Sequence, residues 1–230
     1  MKLPWKEETP YTMKQLLESA EASIAERDYL TAQVFLERAA SASNLPAMYR
    51  LACFYRDTPE LSMTQQIRFS LSEKILLYLE NILTKHEDLM VICRELATLY
   101  KLMKRPVSFL GYKFREYHLS ATPDSQLLSM IQSGIKKLDL TSSLASDPRG
   151  SAILGRECCN ETDLKQTGIF FLQEGVSHGD SSGTIALMLS DILSEAPADD
   201  EDSRKLADSY RRIAAERGNP DILVPKRFNQ

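Results

Sequence analysis

Apolar residues recur along this chain of 230 residues at intervals of three, four and seven positions. Such offsets place side chains on one face of an α-helix, whereas a strand needs alternation of apolar and polar positions, which we find nowhere in the sequence. The pattern predicts helices over 12–26, 28–42, 46–57, 62–85, 87–104, 106–119, 123–138, 149–159, 162–178, 182–195 and 199–217. We therefore expect an all-α protein, in which the long range 62–85 could be kinked or split.

The same pattern divides the chain into four regions. Residues 1–10 have no periodicity and are expected to form an irregular tail, and residues 11–138 are expected to form a region of helical repeats. The stretch 139–150, "DLTSSLASDPRG", combines a serine cluster with an Asp-Pro pair and predicts a break. Residues 151–230 are expected to hold further repeats and a second tail.

The last predicted helix carries four recurring positions. In "KLADSYRRIAAERGN", the small residue Ala207 is followed by Tyr210 three positions later, by Ala214 seven later and by Asn219 twelve later. The stretches "TGIFFLQEGVSHGD" and "TAQVFLERAASASN" have the same residue types at the same offsets. In the first of them the pattern starts at Gly168, 39 residues before Ala207. Pairs of helices that recur at a period near forty residues predict an α-solenoid of antiparallel helix pairs.

Packing explains these residue types. Small side chains let two helices approach closely, and an aromatic side chain fills the groove beside them, so we expect Phe35, Phe171 and Tyr210 to be buried between helices. The Gly and the Asn or Asp that follow predict a left-handed cap and a turn into the next helix. A weaker copy begins at Gly111 and has His118 where a small residue is expected, so the repeats are degenerate in the middle of the chain.

Three stretches resemble the Sel-one-like branch of the tetratricopeptide superfamily: "LADSYRRIAAERGNPD", "AQVFLERAASASNLPAMYRLACFY" and "FFLQEGVSHGDSSGTIALML". Residues 28–57 and 148–222 carry this resemblance, whereas 58–146 are helical but degenerate, and the family's Leu-Gly pair is intact only at Leu154-Gly155. The resemblance implies a protein-interaction scaffold or adaptor that is not an enzyme and that binds a peptide or protein on a concave helical surface.

In the resembled superfamily, the first helix of each pair lines this surface. A leucine recurs in these first helices, as Leu51, Leu96 and Leu154, and we take it as the reference position. The residues two before, two after and five after each reference leucine are then expected to face the concave surface. The partner-binding residues expected on this basis are Tyr49, Arg56, Arg94, Thr98, Lys101 and Arg156. These three sets hold four cations and no acid, which favours an acidic or C-terminal peptide as the partner, although the cations could equally be solvated.

The fourth reference leucine, Leu187, gives a different result. Its set consists of Ile185, Leu189 and Ile192 and carries no charge. We therefore expect the final helix pair to cover it.

Composition limits the classes of function. Hydrophobic residues make up 43% of the chain and charged residues 26%, which is typical of a folded protein, and the net charge of −4 does not favour nucleic acid as a partner. No uninterrupted apolar stretch is long enough to cross a membrane. The first ten residues lack the apolar segment of a signal peptide, and the cysteine pattern is typical of a reducing compartment, so we expect a cytoplasmic protein. The four cysteines lie within helical patterns and not at the spacing of metal ligands, which predicts free thiols, no metal and no cofactor.

Three alternatives remain open from the sequence. The first is a secretion-type chaperone or adaptor for a specific client, which is a special case of partner binding. The second is an enzyme with an unrecognised site that uses His118, Glu116 or Cys159. The third concerns "YKLMKRPVSFLGYKFREY" (100–117), whose mixture of cations and aromatic residues could stack nucleobases, although the helical spacing of the aromatic residues favours a place in the core.

Overall fold

The computed structural model describes residues 11–138, 143–144, 146–195 and 200–223. Within these ranges it has no strand and eleven α-helices, so the all-α prediction is confirmed. The helices are α1 (Met13–Ala25), α2 (Tyr29–Ser41), α3 (Leu45–Asp57), α4 (Gln65–Ile82), α5 (His86–Leu102), α6 (Pro106–Leu119), α7 (Ser125–Lys136), α8 (Pro148–Cys159), α9 (Lys165–Gly179), α10 (Thr184–Ser194) and α11 (Glu201–Glu216). Two short 3₁₀ helices cover Thr162–Leu164 and Pro220–Leu223.

Every predicted helix is present in the described ranges, and each of its ends lies within three residues of the predicted position. Helix α4 is a single helix over Gln65–Ile82 and is not split. The predicted tail 1–10, the end of the second tail at 224–230, and residues 139–142 and 145 of the predicted break lie outside the described residues. None of the described helices is long and apolar enough to cross a bilayer.

The helices pack mainly as neighbours in sequence. The chain divides into two compact units, one ending at Thr84 and the other beginning at Lys85. In the first unit, α1 packs on α2 and α3 on α4, and α2 also contacts α3. In the second unit, the pairs are α5 with α6, α8 with α9 and α10 with α11; α6 also contacts α7 and α8, and α9 contacts α10.

The small residues of the recurring columns are buried, as predicted. The crossing of α8 and α9 is the closest example: a Cβ atom on Gly168 would lie 2.6 Å from Sγ of Cys159 and 2.6 Å from the carbonyl oxygen of Gly155. Gly183 is the N-cap of α10, and a Cβ atom on it would lie 2.8 Å from the Cα atom of Ala214 in α11. These two contacts require the absence of a side chain, because the neighbouring atoms include backbone that cannot move aside.

The aromatic residues of the recurring pattern were expected to be buried, and this prediction is confirmed for one of the three. Phe171 is fully buried, because α9 packs on both α8 and α10. Phe35 and Tyr210 are only half-buried, so the prediction is wrong for them. Tyr210 lies on α11, which packs mainly on α10 and is the last described α-helix. Phe35 lies on α2, which contacts both α1 and α3, and its ring meets that of Tyr11 edge-on at 5.9 Å.

Several helices end in a residue with left-handed backbone, as predicted, but at the ends of these helices only Gly218 is a glycine. Gly218 has a φ of 73°, and Asn219 after it donates its N–H to the carbonyl of Ala214 at 3.0 Å, as in a Schellman cap. At three other helix ends, the left-handed residue is a non-glycine: Arg27, Ser43 and Lys104, with φ of 62°, 57° and 56°. Gly179 at the end of α9 was expected to be left-handed but is not. The glycine with a positive φ in that turn is Gly183, at 70°.

Candidate functional site

In the first unit, the structure places two of the predicted partner-binding residues on α3. Tyr49 is half-buried. The side chain of Arg56 is only 10% exposed, and its Nε donates to Oδ1 of Asp57 at 2.7 Å. The charge of Arg56 therefore has an acidic partner next to it in sequence.

In the second unit, Arg94, Thr98 and Lys101 are all exposed on α5. The hydroxyl of Thr98 donates to the carbonyl oxygen of Arg94 at 2.9 Å. Nε of Arg94 donates to Oε1 of Glu116 at 2.8 Å, and Lys113 donates to the other carboxylate oxygen of Glu116 at 2.7 Å. The guanidinium of Arg94 is thus held by an acid on the partner helix α6.

The environment of Glu116 keeps this carboxylate ionised. Burial alone would raise its pKa, but the hydrogen bonds from Lys113 and Arg94, together with their charges, outweigh burial and lower the pKa below its ordinary value. The sequence did not reveal this pairing, because the partner-binding set was drawn only from the first helix of each pair, while Glu116 lies on the second.

Arg156 lines a pocket of about 400 Å³ in the second unit. The other lining residues are Cys159, Asn160, Lys165, Thr184, Met188, Asp191, Ile192 and Glu195. Arg156 and Cys159 come from the set of Leu154 on α8, and Ile192 comes from the set of Leu187 on α10. The pocket therefore combines residues from two successive helix pairs, including Ile192, which was expected to be covered.

The apolar set on α10 divides between the core and this pocket. Ile185 and Leu189 are buried and pack in a cluster with Ala207 and Ala214 of α11, as predicted. Ile192 is half-buried and lines the pocket, so it is not fully covered. The pocket consequently has an apolar wall beside its charged residues.

The charges of this pocket are mixed. Arg156 and Lys165 are cationic, and Asp191 and Glu195 are acidic. A site with both signs can hold a ligand that carries both a carboxylate and an amino group, which a uniformly basic surface cannot.

The adjacent thiols of Cys158 and Cys159 are not activated as nucleophiles. All four cysteines (Cys53, Cys93, Cys158 and Cys159) are free of disulfides, as predicted. Burial raises the pKa of Cys159 to about 11 and that of Cys158 to about 12. Both thiols are therefore protonated near neutral pH, which lowers their reactivity.

His118 lies between two carboxylates. Its Nδ1 is 2.7 Å from Oε2 of Glu157, its Nε2 is 2.9 Å from Oε1 of Glu161, and its ring stacks on Phe114 with centroids 4.7 Å apart. The hydrogen bond to Glu157 raises the pKa of His118 most; burial opposes it, and Glu161 adds to it. An imidazolium can donate to both carboxylates at once, so the geometry suits a structural ion pair.

The three residues of the enzyme alternative have separate partners. His118 is held by the two glutamates, Glu116 by Arg94 and Lys113, and Cys159 by the carbonyl oxygen of Lys165 at 3.8 Å. In the part of the chain that the structure describes, no group of His, Cys, Asp and Glu is arranged to hold a metal ion.

The aromatic residues of 100–117 are mostly in the core. Tyr100, Tyr112 and Phe114 are fully buried, and the first two stack on each other with centroids 5.5 Å apart and ring planes 16° from parallel. They are therefore not placed to stack nucleobases. Comparison of the chain with family models, with curated proteins and with solved structures finds no match in any of the three.

Proposed function

We propose that this chain is a helical-repeat protein of the Sel-one-like, tetratricopeptide-related type, that its helix pairs stack as an α-solenoid within each unit, and that it acts as a scaffold or adaptor rather than as an enzyme. The pocket around Arg156 is the part of its surface that binds a peptide segment of a partner protein. The observation that supports this most is the meeting of Arg156, Cys159 and Ile192, because a repeat protein builds its binding surface from equivalent positions on successive helices.

The chemistry of the pocket suits a peptide. Arg156 and Lys165 can form charge-assisted hydrogen bonds with a carboxylate, whether a side chain or a chain end. Glu195 on the α10 side suits an amino group or a basic side chain, and Met188 and Ile192 offer an apolar contact. A volume of about 400 Å³ admits one or two side chains and not a whole domain.

Of the other predicted contact residues, Lys101 has the most available charge. Arg56 and Arg94 already pair with Asp57 and Glu116, so a partner carboxylate would have to compete with these acids. We therefore expect Arg156 to contribute more to partner binding than Arg94 or Arg56.

This proposal is tested by purifying the full chain from its source together with whatever it binds, identifying the partner, and measuring its affinity for variants. Arg156→Glu should weaken binding by about tenfold or more, because it places an acid opposite the partner's carboxylate. The matched control is Lys205→Glu, which reverses an exposed cation on α11 outside the pocket and should leave the affinity unchanged. Equal affinities for the two variants would refute the assignment.

A further inference from the structure

A second concave surface of the second unit is built from α5, α6 and α7. Two adjoining pockets of about 330 and 570 Å³ share Pro106 and Phe109, so together they form one groove. Its floor includes Pro106, Phe109, Met130 and Leu138, and its rim carries Lys101, Lys104, Arg105 and Lys137. We call this the basic-rimmed groove; it shares no lining residue with the pocket around Arg156.

All the charged residues that line this groove are cations, although the chain as a whole carries a net charge of −4. Three of them lie at or just beyond the end of α5, and Lys137 caps the end of α7. The negative end of a helix dipole favours a cation in its last turn. The dipole does not explain the apolar floor that lies open between the two helix ends, where Met130 is 39% exposed.

The floor is preformed. Phe109 and Leu138 pack on a buried cluster that includes Val107, Leu110 and Ile131. Gly134 of α7 allows Leu110 to lie close, because a Cβ atom at position 134 would be 2.6 Å from Cδ2 of Leu110. A groove that is already shaped costs a ligand little ordering of the protein on binding.

We propose that the basic-rimmed groove binds a short acidic amphipathic segment of a partner protein. Its apolar side chains lie on Phe109 and Met130, and its carboxylates pair with Lys101, Lys104 and Lys137. Charge complementarity identifies this occupant: a rim of one sign attracts an acidic segment and repels a basic one, while the apolar floor supplies the area that is removed from water. Nucleic acid fits less well, because Tyr100, which lines the groove, is fully buried and stacked on Tyr112 and cannot stack on a base.

Selection from random peptides on phage, with the full chain immobilised, tests this without knowledge of the partner. We expect the enriched peptides to carry Asp or Glu around Leu, Phe or Trp. Two of them are then synthesised with a fluorophore, and their affinities are measured by anisotropy. Lys101→Glu combined with Lys137→Glu should weaken binding by about tenfold or more, and Met130→Glu, which places a like charge on the exposed part of the floor, should do the same.

The matched control is Arg204→Glu combined with Lys205→Glu, which makes the same change of net charge on α11 and should leave binding unchanged. Circular dichroism and thermal melting of each variant verify that it is folded. Arg156→Glu should also leave these affinities unchanged. If Arg156→Glu instead abolished peptide binding while the groove variants kept it, the peptides would bind the pocket around Arg156, and the groove proposal would be overturned. Failure to enrich acidic amphipathic peptides, or binding of a single-stranded oligonucleotide that only the groove variants lose, would overturn it too.

Discussion

Nδ1 of His118 on α6 lies 2.7 Å from Oε2 of Glu157, a buried carboxylate on α8. The pair joins two helices that are separated in sequence by the whole of α7, and Glu161 holds the other ring nitrogen. The contact links two helix pairs of the second unit, so its strength affects how firmly they pack.

The stability of the second unit should depend on pH through His118. Its pKa is raised in the folded protein, so the contribution of the ion pair is fully present below the unfolded pKa, near 6.5, and is lost as the pH rises through the folded pKa. We expect His118→Gln to lower the free energy of unfolding by about 1–3 kcal/mol at pH 5.5, and by less at pH 8.5. Denaturant unfolding across this range measures the difference.

The control for this measurement is His178→Gln. The side chain of His178 is 41% exposed, and it pairs only with Glu174 of its own helix among the described residues. Its effect on unfolding should be small at every pH. A His118 variant whose destabilisation grew with pH would contradict the assigned ion pair.

The close crossing of α8 and α9 predicts that Gly168→Ala destabilises the protein. Alanine normally stabilises a helix relative to glycine, but here its Cβ atom would overlap Sγ of Cys159 and the carbonyl of Gly155. We expect a loss of about 1–3 kcal/mol in unfolding free energy. Ser177→Ala, at an exposed position of the same helix, should change stability by less than about 0.5 kcal/mol. A more stable Gly168 variant would mean that the helices do not cross at this point.

Overpacking should also be costly at the contact between α10 and α11. Ala214 is fully buried, and its Cα atom lies where a Cβ atom on Gly183 would clash. Ala214→Phe is expected to cost about 1–3 kcal/mol, as is Ala207→Phe in the same cluster. Thermal melting tests this, with Ala215→Phe at an exposed neighbouring position as the control; equal shifts for Ala214 and Ala215 would contradict the burial.

The thiols of Cys158 and Cys159 should react slowly in the folded protein. Because burial raises the pKa of Cys158 to about 12 and that of Cys159 to about 11, very little thiolate is present at pH 7. Titration with a thiol reagent should find four free thiols after unfolding, and slow reaction of this pair before it. Rapid modification of Cys159 in the native protein would instead indicate an activated cysteine.

The left-handed residue between α2 and α3 offers a stabilising change. Ser43 has a φ of 57°, which costs energy for a residue with a side chain. Ser43→Gly should therefore stabilise the protein by about 0.5–1 kcal/mol, after allowance for the greater freedom of glycine in the unfolded chain. Ser43→Ala keeps the strain and should bring no gain. A destabilised glycine variant in denaturant unfolding would contradict this conformation.

The helices and their ends could be predicted because they depend on local periodicity and caps. The recurring small residues at the helix crossings, such as Gly168 and Ala214, were predicted for the same reason. The partial exposure of Phe35 and Tyr210 could not be predicted, since it depends on how closely the neighbouring helices cover each ring, and four offsets within one helix do not specify that.

The candidate site likewise has one part that could be predicted from the sequence and one that could not. The repeat pattern selected Arg156 as a surface residue, but it did not predict that Ile192, which was expected to be covered, lines the same pocket. The sequence marked His118 as unusual but could not reveal its partner Glu157, which is 39 residues further along the chain. The pairing of Arg94 with Glu116 was missed because it joins two different helices, and no local pattern records such a contact.

The proposal that this protein binds a partner through the pocket around Arg156 is tested most directly by site-specific photo-crosslinking in the source cells. A photoreactive phenylalanine derivative replaces Asn160, an exposed residue of the pocket, or Arg204, an exposed residue on α11 outside it. We expect irradiation to join a discrete partner protein to the chain from position 160 and not from position 204. Crosslinks from position 204 alone, or no crosslinks from position 160, would contradict the proposed site.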